Sequence, residues 1–151
     1  MSIFSSFNSS ASALTAERFR MDVISSNIAN AQTTRATMNE DGEFEPYRRK
    51  MVHLQPDGAS FKSFLNRAST NQQRHSAGVK VSGVVEDREP FKPIYNPNHP
   101  DADEDGYVQM PNVDPLKEMV DLMGATRSYE ANITALNANK TMLMKALEIG
   151  K

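Results

Sequence analysis

The most constraining feature of this sequence is a seven-residue apolar repeat at each end of the chain. Near the amino terminus it consists of four apolar residues, with Ile24 in the neighbouring column: Phe7, Leu14, Met21 and Ile28. Near the carboxyl terminus two columns advance together: Leu122, Tyr129, Leu136 and Leu143, and beside them Met119, Thr126, Ile133, Lys140 and Leu147. A strict spacing of seven is typical of a coiled-coil seam, where one column faces a partner helix. We therefore predict these residues, apart from Thr126 and Lys140, to be the seam residues of an assembly interface on two long helices.

The two predicted helices are too long for one compact fold. Asp114 and Pro115 form an N-cap and N1 pair, so the second helix begins there, and Gly150 is its expected stop. A helix from Asp114 to Leu147 spans about 50 Å, and the first helix about 42 Å. A compact chain of 151 residues has a radius of gyration of only about 15 Å. We expect the helices to lie along each other, project, and bury apolar residues against other subunits.

The sequence between the two helices favours short strands. Seven of the eight prolines lie between residues 46 and 111, which prevents long helices there. Runs with strand character cover residues 47–54, 78–85 and 107–110. Residues 61–68 are compatible with a short helix or a further strand. Two polar stretches, residues 39–45 and 67–76, are predicted to be mobile loops.

These patterns together predict an α+β fold. Long N- and C-terminal helices pair as a coiled-coil-like hairpin, and a small β-rich domain is inserted between them. The predicted segments are an N-terminal axial helix over residues 1–34, a middle domain over residues 35–112 and a C-terminal axial helix over residues 113–151.

Composition excludes several functional classes. The chain has no cysteine, so disulfides, thiolate catalysis and Cys-based zinc sites are ruled out. Three dispersed histidines, His53, His75 and His99, offer little for a metal centre. The net charge of −2 is unlike the basic footprint of a nucleic-acid binder. No apolar run is long enough to span a membrane. Glycine-rich phosphate loops and the common hydrolase motifs are missing, so we expect no enzyme activity and no cofactor.

An acidic turn over residues 101–106 supports the one alternative function. Asp101, Asp103, Asp105 and Gly106 fit the opening of an EF-hand loop. Position 12 falls on Asn112 where a glutamate is needed, so a solvated acidic turn is the expected structure. A calcium- or ligand-binding module remains the alternative function. A second rival, a cell-wall hydrolase, would need a convergent pair of carboxylates, which this single turn does not supply.

Three other local features have simple structural interpretations. The basic run Arg48–Lys50 could bind phosphate, but we expect a solvated strand face or a protected edge. Tyr129 lies in the heptad column, so it is predicted to pack rather than to transfer protons. His99, between two prolines, is expected to cap a turn.

The segment SNIANAQTT at residues 26–34 resembles the N-terminal signature of bacterial flagellar rod and hook proteins. That pattern usually ends in glycine, and Arg35 stands there instead, as in proximal-rod members. Residues 95–108, 111–115 and 119–132 resemble the same members. The signature residues are Asn27, Ala29, Asn30, Thr33 and Thr34.

The resemblance implies an axial structural protein of the flagellar basal body, in the periplasmic proximal rod. Export would pass through the flagellar type III apparatus in an unfolded state, with the segment before Leu14 read by that machinery and retained. Assembly would be helical, with the terminal helices lining the channel and the β-rich domain outside. The implied partners are other copies, other proximal and distal rod proteins, and the adapter between export gate and rod. Neither nucleic acid nor membrane insertion is expected.

Overall fold

The computed structural model describes residues 3–39, 42–57 and 78–149. It has the predicted α+β class, with two long helices flanking a small β region. The elements in chain order are α1 (Ile3–Ala29), β1 (Thr37–Met38), β2 (Phe44–Glu45), β3 (Lys50–Pro56), β4 (Val79–Glu86), β5 (Lys92–Tyr95), β6 (Tyr107–Met110) and α2 (Pro115–Ile149). The expectations for residues 61–68 and 67–76, and for Gly150 as a helix stop, fall outside the described residues.

Helix α2 begins where the capping residues predict. The carboxylate Oδ1 of Asp114 accepts hydrogen bonds from the backbone N–H of Leu116 at 3.0 Å and of Lys117 at 3.5 Å. These bonds satisfy amides that have no partner inside the helix. Pro115 is the first helical residue, a position where its missing N–H costs nothing. Local chemistry alone therefore determines this boundary.

The β region consists of three two-stranded sheets. Strands β5 and β6 pair antiparallel from Lys92 opposite Met110 to Tyr95 opposite Tyr107. Strand β6 matches its predicted range, β4 is shifted from its range by one residue, and β3 is shifted by two or three. Strand β5 was not predicted. It contains Pro93, which is tolerated because a two-stranded sheet has only edge strands.

The expectation of a polar loop over residues 39–45 is wrong at its carboxyl end. Phe44 and Glu45 form β2 and pair antiparallel with Met38 and Thr37. The backbone N–H of Asn39 donates to the carbonyl of Glu43 at 2.8 Å. Gly42 closes the turn with a φ of 83°, a conformation that costs glycine little. Backbone pairing across this turn outweighs the polar composition of the segment.

The described residues divide into two compact units. One takes in residues 1–20, 52–83 and 124–151, as far as these are described, and the other takes in residues 21–51 and 84–123. In the first unit, Ala16 and Ala125 are buried. The second unit holds the larger set of buried residues: Ile24, Asn27, Pro46, Tyr47, Gly106, Val108, Pro111, Asn112, Val113 and Glu118.

Within the described residues, neither helix combines the length and the apolar character needed to cross a lipid bilayer.

Candidate functional site

The side-chain amide of Asn27 lies at the centre of a buried polar network. Asn27 is 1% exposed and sits near the end of α1. Its Nδ2 donates to the carbonyl of Lys50 at 2.9 Å and to Oε2 of Glu118 at 2.9 Å. Its Oδ1 accepts from the Lys50 N–H at 2.9 Å and from the Tyr47 hydroxyl at 3.0 Å. Both donors and both acceptor positions of the amide are therefore used.

Arg49 forms the second centre of the network. Its Nε donates to Oε1 of Glu118 at 2.6 Å, and its terminal nitrogens lie 3.4 Å from a carboxylate oxygen of Asp87 and 3.5 Å from one of Asp121. The Arg49 side chain is 15% exposed and that of Glu118 is fully buried. The prediction that the basic run is a solvated strand face is therefore wrong for Arg49. The guanidinium turns inward because a buried carboxylate from α2 meets it there.

A second buried amide, Asn112, braces the backbone around Arg49. Its Oδ1 accepts from the Arg49 N–H at 2.7 Å, and its Nδ2 donates to the carbonyls of Asp87 at 3.3 Å and Glu89 at 3.1 Å. The N–H of Asp87 donates to the Arg49 carbonyl at 2.8 Å. Asn112 therefore links the start of β3 to the segment after β4.

We call the set Asn27, Tyr47, Arg49, Asn112 and Glu118 the polar hub. Within it, Glu118 accepts from both Asn27 and Arg49. Burial lowers the pKa of Arg49, but its hydrogen bonds and charge interactions with Glu118 and Asp87 outweigh this, so the pKa is raised and the guanidinium stays charged. Charge-assisted hydrogen bonds are shorter and stronger than neutral ones. The hub therefore fixes the end of α1, the start of β3 and the first turns of α2 in one geometry.

The acidic turn is held by an ion pair. Thr34 donates to Oδ2 of Asp101 at 2.8 Å, and Arg35 pairs with Oδ1, with its Nε at 2.7 Å. The hydrogen bond from Arg35, with that from Thr34, lowers the pKa of Asp101. The first proposed calcium ligand is therefore already bound by this chain. In the part of the chain that the structure describes, no group of three acidic or histidine side chains is arranged to hold a metal ion, and the calcium alternative gains no support.

His99 caps the same turn, as predicted. Its Nδ1 accepts from the Asp101 N–H at 3.1 Å, and its own backbone N–H donates to the Asn96 carbonyl at 3.1 Å. Gly106 closes the turn with a φ of 80°, which explains why glycine is needed there.

The remaining signature residues form the end of α1 and the turn that follows it. Asn30 donates from its side chain to the Ser26 carbonyl at 2.9 Å, and the Thr33 hydroxyl lies 3.3 Å from Oδ1 of Asn30. The Thr33 carbonyl accepts from the Tyr47 N–H at 3.0 Å. Ala29 is exposed. The signature thus supplies one hub residue, Asn27, and the turn after α1.

The predicted seam residues differ in burial within the single chain. Ile24 is 6% exposed. One group is half-buried: Phe7, Leu14, Met21, Ile28, Leu122, Tyr129, Leu136 and Leu143. Another remains exposed, with Met119 at 51%, Ile133 at 37% and Leu147 at 75%. Whether these residues form an assembly interface stays a prediction.

Helix α2 exposes more apolar side chains than the heptad columns predicted. Near its start these are Leu116, Val120 and Met123, at 72%, 57% and 55% exposure, beside Met119. Near its end they are Met142, Met144 and Ile149, at 62%, 54% and 86%, beside Leu147. These positions fall outside the seven-residue columns, so counting by seven missed them. A helix that is apolar on more than one face needs more than one neighbour.

Comparison with known proteins identifies the family. The family described as "Flagella basal body rod protein" matches residues 7–37, and "Flagellar basal body rod FlgEFG protein C-terminal" matches residues 104–149. The flagellar basal-body rod protein FlgC of Bacillus subtilis (strain 168) is 62% identical over the full length of both chains. That of Salmonella typhimurium is 41% identical over the full length of both, and that of Borreliella burgdorferi is 40% identical over 99% of this chain and 98% of its own. The chain belongs to the FlgC family of flagellar basal-body rod proteins.

FlgC membership confirms the resemblance found in the sequence. The chain is a structural subunit located in the flagellar basal-body rod. Its sequence similarity to these proteins extends over both helices and the signature residues. Four hub residues, Tyr47, Arg49, Asn112 and Glu118, were missed as a site. An arginine in a strand-like run and a glutamate in a first helical turn are ordinary surface features in a sequence.

Proposed function

We propose that this FlgC-family chain is a mechanical subunit of the proximal rod. Its two helices pack against neighbouring rod subunits, line the axial channel and transmit torque. The observation that carries this proposal is the exposed apolar surface of α2 at both ends, near Met119 and near Leu147. Exposed apolar clusters are typical of protein contact sites.

The proposed assembly is helical. A contact between two different surfaces of identical subunits, repeated without closing a ring, generates a helical tube. Helix α2 suits such a contact because its exposed surface carries apolar side chains in addition to the half-buried column that includes Leu136. Burying apolar surface contributes about 25 cal/mol per Å², so the large exposed side chains of α2 would contribute favourably to such an interface.

Torque transmission requires a stiff connection between the helices and the β region. The polar hub supports this role, since Asn27, Arg49 and Glu118 join three elements through short, directional bonds. A drive shaft requires no chemistry, and we propose that the chain is not an enzyme. The further proposed partners are other rod proteins, the adapter between export gate and rod, and the type III export apparatus.

Single-cysteine labelling tests the assembly proposal directly, because the chain has no cysteine of its own. Leu147→Cys places a thiol on the proposed interface, and Glu104→Cys places a matched thiol on the exposed acidic turn. We expect maleimide to label both in the monomer, but only Glu104→Cys in purified basal bodies. Equal labelling of Leu147→Cys before and after assembly would contradict the proposed interface.

A further inference from the structure

The polar hub ties the two helices together at their adjoining ends. Asn27 lies close to the carboxyl end of α1, which stops at Ala29, and Glu118 lies in the first turn of α2, which starts at Pro115. Their side chains are joined by a hydrogen bond of 2.9 Å. Each helix then runs on from the hub, α1 toward Ile3 and α2 toward Ile149.

The fully buried larger side chains of each helix lie near the hub, and the described residues of the outer parts bury only the small residues Ala16 and Ala125. In α1, Ile24 and Asn27 are 6% and 1% exposed, and in α2 Glu118 is fully buried. Along α2 beyond the hub unit, Ala125 is the last buried residue among those described. Most helical stability in proteins comes from packing rather than intrinsic propensity. The outer parts of both helices, whose described residues bury only one alanine each, are therefore held less firmly by packing within the single chain.

Starting a helix is the costly step in forming one. Fixing the first turn carries a statistical penalty of about 10⁻³, whereas each later residue adds one hydrogen bond for one residue ordered. A helix that already has one stable turn extends without this penalty. Residues 21–29 and 115–123 lie in the unit that contains the hub, and the hub can hold them helical.

We propose that the polar hub is a helix seed. In the unassembled subunit it keeps residues 21–29 and 115–123 helical, and the rest of each helix grows outward from these turns when the subunit enters the rod. The trigger rests on the proposed assembly function, but the seed itself is a property of the monomer.

The chemistry of the hub makes the two helical segments, residues 21–29 and 115–123, form together. The amide of Asn27 bonds both backbone groups of Lys50 and the carboxylate of Glu118 at once. If either helical turn opens, a buried polar group in the other loses its partner, which is costly. An apolar contact would tolerate sliding, whereas this network accepts one geometry. Opening of α1 at Asn27 is therefore coupled to opening of α2 at Glu118.

Hydrogen exchange measured by mass spectrometry on the full-length monomer, verified by light scattering, tests the seed. We expect residues 21–29 and 115–123 to be protected about as well as the β5–β6 hairpin at residues 92–110. Residues 6–15 and 130–149 should exchange at least tenfold faster. Rapid exchange of residues 21–29 or 115–123, or equal protection along the whole of both helices, would overturn the proposal.

The variant Glu118→Gln tests the coupling. In the unsubstituted chain, Nδ2 of Asn27 and Nε of Arg49 both donate to Glu118. The glutamine amide would place its own N–H donor opposite one of these two donors. We expect at least tenfold faster exchange in residues 115–123 and also in residues 21–29, which carry no substitution. The control Glu130→Gln changes an exposed glutamate on the same helix and should alter neither segment.

A second variant covers the case in which Glu118→Gln unfolds the hairpin as well. Asn27→Ser leaves the Arg49–Glu118 ion pair in place and should also loosen both segments while residues 92–110 keep their protection. Loosening of residues 21–29 alone would show that the seeds are independent and overturn the proposal. Because every readout is made on the monomer, a failed rod interface would leave these results unchanged.

Discussion

At the scale of single residues, the polar hub depends on side chains with specific bonding capacities. Asn27 uses two donors and two acceptor positions, and Asn112 uses one acceptor and two donors. Aspartate has the same shape as asparagine but no N–H donors, and serine is too short to bridge the Lys50 backbone. The identity of each residue is therefore determined by the number and direction of its partners.

Replacing Asn27 by alanine should lower the free energy of unfolding of the monomer by about 3 kcal/mol, because it leaves buried polar groups of Lys50 and Glu118 without a partner. Denaturant unfolding measures the change. Asn137→Ala, at an exposed position of α2, is the control and should stay within about 0.5 kcal/mol of the parent. A loss at Asn27 no larger than in this control would mean that the network adds no stability.

Asp101 should remain ionised at a lower pH than an ordinary aspartate. Its pKa is lowered from 3.8 by the hydrogen bond from Arg35 and by that from Thr34. A lowered pKa in the folded state means that the stabilisation is present above the unfolded pKa and is lost as pH falls through the folded one. NMR titration of the carboxyl group should show a rise in pKa in Arg35→Ala and no change in the control Arg127→Ala. An unchanged titration in Arg35→Ala would contradict the assigned cause.

At the scale of elements, α2 is one continuous helix with two different environments. Near its start it carries the buried Glu118, and toward its end every residue is exposed or half-buried. The half-buried column containing Leu136 and Leu143 and the exposed Ile133 lie in this outer part. We therefore expect the helix to complete its packing with other chains, as proposed for the rod.

Leu136→Asp should block rod assembly and swimming while secretion of the subunit continues. An unpaired carboxylate placed in an apolar seam costs several kcal/mol once water is excluded. Soft-agar motility, basal-body purification and subunit levels in the culture supernatant measure the three effects. Asn137→Asp, the adjacent and exposed position, is the matched control. Normal swimming with Leu136→Asp would show that this column faces solvent.

At the scale of the whole molecule, the buried residues are distributed unevenly between the two units. The unit formed by residues 21–51 and 84–123 contains the polar hub and the buried Val108 and Val113. The other unit buries small residues, Ala16 and Ala125, among those described. Local opening follows burial and hydrogen bonding, so the unit that contains Ala16 and Ala125 should open more readily in the monomer.

Native-state trypsin digestion of the monomer should therefore cut after Lys140 much faster than after Lys117. Both lysines are exposed and lie on α2, so access to the side chain does not distinguish them. Lys117 precedes the hub residue Glu118, and cleavage there requires the hub to open. Mass spectrometry of the early fragments gives the two rates. Equal rates would contradict the difference in stability, and Asn27→Ser, which leaves the Lys117–Glu118 cleavage site unchanged, should raise the Lys117 rate.

The sequence by itself determined the features that depend on neighbouring residues. Asp114 and Pro115 start α2 through one cap and one fixed dihedral angle. A short strand-like run between turn residues predicted β6, and heptad spacing predicted both long helices. The segment around Asn27 and Asn30 was sufficient to suggest the family. The three predicted segments, and the seam residues as an assembly interface, remain predictions.

Only the tertiary structure decided which distant residues meet. Asn27 and Glu118 are 91 positions apart, and Arg49 and Glu118 are 69 apart. Nothing near Arg49 in the sequence distinguishes it from a solvated strand arginine, and its burial follows from the carboxylate that α2 brings to it. The pairing of Phe44 with Met38 likewise depends on how the backbone returns through Gly42. Caps, proline angles and periodicity act over a few residues, whereas burial and ion pairing depend on which parts of the chain the fold brings together.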